Sequence, residues 1–225
     1  MTAQDYCERV ERHYRRHQRL LPAMPIRDDN TKLISLANSG FSLIFEPSIQ
    51  PNYQYLAREV VHEKIGRLSK QLENDGMMLI IRSAWRSFEH QKLLWEERID
   101  LLKKKYPDRE VEKIEKLVSY FVAPPNRSMH STGGAIDALL YDMEKDCVMD
   151  FGTNDGLHIR LNDKCYPYHP HITPEAKRNR KILIELFEKE NFVVDLKEYW
   201  HFDYGNASWA LEKKKAHAIY GIVSA

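Results

Sequence analysis

The chain contains 225 residues, of which 43% are hydrophobic and 30% are charged, and its formal net charge is +1. This composition is typical of a globular protein that buries a hydrophobic core, and the balanced charge argues against a nucleic-acid or membrane partner. Arginines interrupt the N-terminus and no run approaches the roughly 18 apolar residues of a membrane span, so we expect neither a signal peptide nor a membrane anchor.

The length suits one domain, which we assign to residues 1–225, with a less regular part over residues 1–55. The three cysteines, Cys7, Cys147 and Cys165, show no CxxC spacing. We therefore expect reduced thiols in a cytoplasmic protein, rather than disulfides or zinc ligands.

Prolines and glycines divide the chain into short elements. Residues 22–55 contain four prolines and should be mostly loop. Apolar residues at helical spacing predict helices over about residues 56–74, 87–105, 109–122 and 173–190. Predicted strands cover residues 77–81, 135–141, 192–194 and 199–204. Because helices and strands alternate without regular crossover units, the expected fold is α+β, with helices packed on an antiparallel sheet.

A histidine and an aspartate lie on either side of two glycines in residues 128–137, which read Ser-Met-His-Ser-Thr-Gly-Gly-Ala-Ile-Asp. Asp137 falls within an apolar strand, where a carboxylate is costly unless it is paired or bound to a metal. A cation would explain its position, and so would a salt bridge or a place at the strand end. This stretch alone leaves both interpretations open.

A second polar pattern lies in residues 198–204, which read Glu-Tyr-Trp-His-Phe-Asp-Tyr. Aromatic residues alternate there, so they share one face of a strand, and His201 and Asp203 point to the other face. Glu198 lies at the beginning of the strand, three residues before His201. Taken alone, His201 is better explained as a core histidine that a neighbour hydrogen-bonds than as a metal ligand.

Together the two stretches supply two histidines and one carboxylate, His130, Asp137 and His201. These are ligand types that zinc accepts, and three protein ligands leave a fourth position for water, as in catalytic sites. Zinc lowers the pKa of such a water to about 7, and a nearby carboxylate can pass its proton to a leaving amine. Glu198 fits that role by its spacing.

Two arginines follow the predicted strand at residues 77–81. If the strand continues, alternation places Arg82 and Arg86 on one side. An arginine can clamp a carboxylate or a developing oxyanion with two donors. We expect Arg82 to form an ordinary salt bridge, and the residues alone leave the role of Arg86 undecided.

The two motifs, Ser-x-His-x-x-Gly-x-Ala-x-Asp from residue 128 and Glu-x-Trp-His from residue 198, resemble those of the D-alanyl-D-alanine dipeptidase family. The similarity also includes Ala-Trp-Arg at residues 84–86 and Asp-Phe-Gly-Thr at residues 150–153, and it spans roughly residues 55–221. The family consists of zinc peptidases related to D,D-carboxypeptidases and to the hedgehog N-terminal domain fold.

This resemblance implies hydrolysis of D-alanyl-D-alanine, a small peptide substrate, into two D-alanines. It implies Zn²⁺ bound by His130, Asp137 and His201, Glu198 as the general base, Arg86 as the stabiliser of the tetrahedral intermediate, and Ser128 in the substrate site. The chain departs from the family pattern twice: Ser87 replaces a proline, and Asn-Asp-Gly follows Thr153 where an aromatic-aspartate pair is usual. Asp155 would then serve at the substrate's amino group.

Two other functions fit the same motifs. One is a D,D-carboxypeptidase or peptidoglycan endopeptidase of the same superfamily, and the other is a non-catalytic binding module that zinc stabilises. The presence of both Glu198 and Arg86 favours an enzyme. A second metal site in the polar loop that contains His158, His169 and His171 is a weaker hypothesis, because histidines scattered in such a loop are commonly solvated.

Overall fold

A computed structural model describes residues 2–48, 50, 52–119, 122–153 and 163–223. Two residues named above, Asp155 and His158, lie outside these ranges. The helices of the described residues are α1 Ala3–Leu20, α2 Glu59–Asn74, α3 Phe88–Lys105, α4 Val111–Val118, α5 Pro174–Lys189 and α6 Ala207–Glu212. The strands are β1 Leu33–Ser35, β2 Leu43–Phe45, β3 Leu56–Arg58, β4 Met77–Ser83, β5 Ala135–Asp142, β6 Cys147–Val148, β7 Val193–Val194 and β8 His201–Asp203.

The larger sheet has the strand order β2-β4-β5-β8-β7, and β6 pairs with β5. Strands β1 and β3 form a separate antiparallel pair. The α+β prediction is confirmed, with one difference: β2 runs parallel to β4, whereas the other pairs are antiparallel. The chain passes through β3 and α2 between β2 and β4, and a crossover of this length allows parallel pairing.

The apolar core lies on one face of β5 and β8. Ile136, Ala138 and Leu140 alternate along β5 and belong to one buried cluster. Phe202 of β8 is paired with Ile136 and stacks on Phe187 of α5, with ring centroids 3.9 Å apart. The predicted apolar face of α2 is buried in the same cluster, with Val61, Ile65, Leu68 and Leu72. Residues 137 and 201 therefore lie on the opposite face of the sheet.

The N-terminal part is more regular than expected, because residues 3–20 form helix α1. Thr2 caps this helix: its hydroxyl accepts from the Asp5 N–H, and the Asp5 carboxylate accepts from the Thr2 N–H. The prediction of an irregular segment is wrong here because the buried stripe is narrow. It consists of Tyr6, Val10 and His17 in an arginine-rich background.

Candidate active site

Three side chains that the sequence singled out meet in the structure. His130, Asp137 and His201 are buried, and each offers a ligand atom within 4.8 Å of the other two. Nε2 of His130 lies 3.2 Å from Oδ2 of Asp137, and Nδ1 of His201 lies 2.9 Å from Oδ1 of that carboxylate. Within the described ranges, this is the one group of three or more His, Cys, Asp or Glu side chains that could hold a metal ion.

The fold brings these residues together through strand register and a glycine turn. Asp137 and His201 are direct partners in the β5–β8 pairing, so their side chains share one face. His130 lies in a 3₁₀ turn over residues 129–132, which Gly133 ends with a φ of +73°. A Cβ on Gly134 would lie 2.3 Å from the carbonyl oxygen of Tyr204. Gly133 is therefore required by the left-handed turn, and Gly134 by the close approach of the chain that follows β8.

The remaining imidazole nitrogens are occupied by hydrogen-bond partners. Nδ1 of His130 lies 2.8 Å from the carbonyl oxygen of Ala84, and Nε2 of His201 lies 3.1 Å from Oδ1 of Asp203. A carbonyl oxygen can only accept, so Nδ1 of His130 carries the proton and its Nε2 lone pair faces Asp137. Asp203 likewise contacts the outer nitrogen of His201, so Nδ1 of that ring faces the cluster. The outer partners of metal-binding histidines orient the ring in the same way.

Asp203 was not among the predicted site residues. It is buried, and it accepts a second hydrogen bond at 2.6 Å from Nδ2 of Asn206. The alternation of β8 did place it on the face of His201, and this was the available signal. Its role in orienting a ring could be inferred only once the distance was known.

The charged groups of the cluster shift one another's pKa values. Burial works to raise the pKa of Asp137, but His130 and His201 outweigh it and hold that pKa well below its usual value. Burial works to lower the pKa of His201, yet Asp203 and Asp137 raise it well above the usual range. Burial and then the charge of Arg86 lower the pKa of His130. The site therefore favours a positive charge between Asp137 and Asp203, which a proton or a metal cation would supply.

Arg86 lies against this cluster and is held from three sides. Its Nε–H donates to Oγ of Ser83 at 2.8 Å, and its two Nη groups donate to Oε1 of Gln91 at 3.3 Å and to Oδ2 of Asp137 at 3.2 Å. These contacts use three of the five N–H groups of a guanidinium. As far as the described residues show, the side chain is oriented and still has donors for a substrate oxygen.

Arg82 occupies a different place. It forms a bidentate ion pair with Glu46, at 2.7 Å and 3.1 Å, which confirms the predicted salt bridge. The alternation expected to continue through Arg86 stops at Ser83, where β4 ends, and the strand has a bulge just before that residue. The bulge brings Ser83 opposite Asp137, where its hydroxyl can hold the guanidinium.

Glu198 and Ser128 are both buried. In the sequence, each lies within three residues of a histidine of the cluster. Glu198 lies in the turn before β8, which begins only at His201, and its carbonyl oxygen accepts from the His201 N–H at 3.2 Å. The strand predicted from residue 199 is thus shorter than expected. Ser128 directly precedes the 3₁₀ turn of His130, and its carbonyl oxygen accepts from the Ser131 N–H at 3.2 Å.

The other features considered in the sequence lie outside this cluster in the described part of the chain. His171 donates its backbone N–H to Nδ1 of His169 at 3.1 Å, and these two residues belong to no metal-ligand group there. Within the described residues, no disulfide joins Cys7, Cys147 and Cys165. None of the helices in the described ranges is long and apolar enough to cross a membrane. The cytoplasmic location stays a prediction.

Comparison with known proteins identifies the family of the chain. Residues 46–219 match the family model described as D-ala-D-ala dipeptidase. The D-alanyl-D-alanine dipeptidase of Escherichia coli is 31% identical over 157 residues, which cover 68% of this chain and 70% of that protein. The chain is therefore an enzyme of the metallopeptidase class. It belongs to the D-ala-D-ala dipeptidase family, as its two motifs predicted.

Similar solved structures include two complexes of low sequence identity to this chain. A zinc complex of the D,D-pentapeptidase VanY is 17% identical, with a TM-score of 0.49 and coverage of 85% of this chain and 90% of that one. A complex of VanYB with D-alanine-D-alanine is 16% identical, with a TM-score of 0.49 and coverage of 83% and 85%.

Proposed function

We propose that this enzyme hydrolyses D-alanyl-D-alanine into two D-alanines, with one zinc ion held by His130, Asp137 and His201. The observation that carries the proposal is the convergence of these three ligand atoms within 4.8 Å in the buried cluster. The choice of substrate is supported by the family and by the name of the Escherichia coli relative.

The donor set fits zinc. Two imidazole nitrogens and one carboxylate oxygen are ligands that zinc accepts, and a three-residue set leaves a position open for catalysis. Both rings have their outer nitrogen engaged, by Ala84 and by Asp203, so the inner nitrogens already face the centre. When bound, zinc supplies a Lewis acid and lowers the pKa of water at the open position.

Glu198 would act as the general base. Its carboxylate accepts a proton from the attacking water and returns it to the amine that leaves when the peptide bond breaks. Glu198 is buried, and its carbonyl oxygen accepts from the His201 N–H, so its backbone lies beside one residue of the cluster.

Arg86 would stabilise the oxygen of the scissile carbonyl as that oxygen gains negative charge. Its three contacts hold the guanidinium in one orientation, and a fixed donor needs no reorganisation during the reaction. Ser128 would line the substrate site, and Asp155 would accept from the substrate's ammonium group.

A panel of free and blocked peptides tests this proposal. The zinc-loaded protein should hydrolyse free D-alanyl-D-alanine faster than L,D- or L,L-dipeptides, and it should not hydrolyse the N-acetylated dipeptide, which lacks the ammonium group. The His201→Ala variant is the control for background hydrolysis. Equal cleavage of the acetylated substrate would instead assign a D,D-carboxypeptidase or endopeptidase. Tight zinc binding with no hydrolysis of any peptide would assign a binding module.

A further inference from the structure

Helix α1 is docked against the turn that carries Glu198. The helix lies outside residues 46–219, the part of the chain that the family model matches. Its residues Tyr6 and Val10 form a small apolar cluster with Tyr166, and Leu196 packs against that cluster. The N-terminal helix therefore meets the chain two residues before the proposed general base.

An ion pair between a buried lysine and a partly exposed glutamate joins the two segments. Nζ of Lys197 lies 2.7 Å from Oε1 of Glu11, and the Lys197 side chain is only 7% exposed. The ammonium also lies 4.1 Å from the ring centroid of Tyr14, on the same helix. Tyr166 donates its hydroxyl to the Glu11 carboxylate. Burial works to raise the pKa of Glu11, but Lys197 and Tyr166 outweigh it and lower that pKa, which favours the ionised carboxylate.

Glu11 is the carboxylate that makes this buried ammonium tolerable. A buried charge is costly unless an opposite charge compensates it, and aromatic rings replace only part of that interaction. Without the Glu11 charge, the Lys197 side chain would lower its free energy by moving toward water. Its Cα is one peptide unit from that of Glu198, at a separation of about 3.8 Å in any trans peptide, so any shift of the Lys197 backbone also displaces the general base.

We propose that helix α1 positions Glu198 for catalysis through the Glu11–Lys197 ion pair. Glu11 is a positioning residue, since it acts through Lys197 and the turn. The zinc ligands lie on the 3₁₀ turn, β5 and β8, and the pairing of β8 with β5 holds His201 beside Asp137, so the helix should govern the base and leave the metal in place. The kinetic part of this inference rests on the proposed role of Glu198.

The direct test is Glu11→Gln in the full-length, zinc-loaded enzyme. A shift of a catalytic group by about 1 Å can cost on the order of 100-fold, so we expect kcat for D-alanyl-D-alanine to fall by about 10- to 100-fold. KM and zinc content should stay within about twofold of wild type, because neither depends on the base. Glu8→Gln is the matched control: it is on the same helix, in an exposed pair with Arg12, and it should leave kcat unchanged.

A second variant shows whether the effect passes through Lys197. Methionine has a similar length but no charge, so Lys197→Met needs no partner from α1. In the Lys197→Met background, Glu11→Gln should change kcat by less than about twofold, and the double variant should be more active than Glu11→Gln alone. The proposal is wrong if Glu11→Gln has wild-type kcat, or if it lowers kcat equally in both backgrounds.

Hydrogen exchange separates this inference from the proposed function. The backbone amides of residues 195–200 should exchange faster in Glu11→Gln than in wild type and in Glu8→Gln. This result is expected even if the enzyme cleaves another peptide. Unchanged exchange would refute the positioning role, whereas faster exchange without any activity on D-alanyl-D-alanine would refute only the proposed substrate.

Discussion

Strands β5 and β8 have two faces with opposite chemistry. On one face Ile136 pairs with Phe202 and joins the apolar core, and on the other Asp137 pairs with His201 in the charged cluster. Because neighbouring residues of a strand point to opposite faces, each charged residue is one peptide away from a core residue. The core therefore holds the backbone of the site in place. The site itself contains buried charged groups, which selection for stability alone would not favour.

We expect substitutions on the two faces to have different effects. Changes on the charged face should abolish metal binding or turnover and leave the fold intact. Changes on the apolar face should lower stability and leave the chemistry of the folded enzyme intact.

The largest effect is expected from removal of a zinc ligand. His130→Ala or His201→Ala leaves two protein ligands, so metal content should fall strongly and hydrolysis should drop to background. Metal analysis after dialysis, with circular dichroism as the control for folding, measures this. Full zinc occupancy in both variants would rule out the ligand assignment.

A smaller effect is expected for Arg86→Ala. Loss of an oxyanion donor typically lowers kcat by about 100- to 1,000-fold, and KM should change little because the interaction forms mainly in the transition state. Steady-state kinetics at saturating zinc provide the measurement. An unchanged kcat with a raised KM would assign Arg86 to ground-state substrate binding.

Asp203→Asn should act on the metal through His201. Asparagine keeps the size but not the charge next to Nε2, so the ring loses its fixed orientation and part of its basicity. Zinc affinity should fall by about 10- to 100-fold, the usual scale for an outer partner of a metal ligand. Competition with a chromophoric chelator measures the affinity. Unchanged affinity would show that Asp203 has only a structural role.

The smallest effect on turnover is expected on the apolar face. Phe187→Ala removes the ring that stacks on Phe202 and should destabilise the protein by about 3–5 kcal/mol. Urea unfolding at constant free zinc measures the loss. The kcat of the folded fraction should stay within a few-fold of wild type. A collapse of kcat in fully folded enzyme would show that the two faces are not separable.

The three side chains that converge in the structure were easier to foresee from the sequence than some of the elements around them. Two short motifs contain His130, Asp137 and His201, and the alternation of β8 separates polar from aromatic residues. The bulge before Ser83 leaves no mark in the side-chain pattern, so the contact that holds Arg86 could not be foreseen. Helix α1 was missed because its partners, Tyr166 and Lys197, lie more than 140 residues away in the chain.

Glu198→Gln tests the central claim most directly. The substitution keeps the size and a hydrogen-bonding head but cannot accept a proton. Zinc content and fold should match wild type, while hydrolysis of D-alanyl-D-alanine should fall by at least about 100- to 10,000-fold, the usual contribution of a general base. Near-normal turnover at full zinc occupancy would contradict the account, because the proton would then be taken by another group.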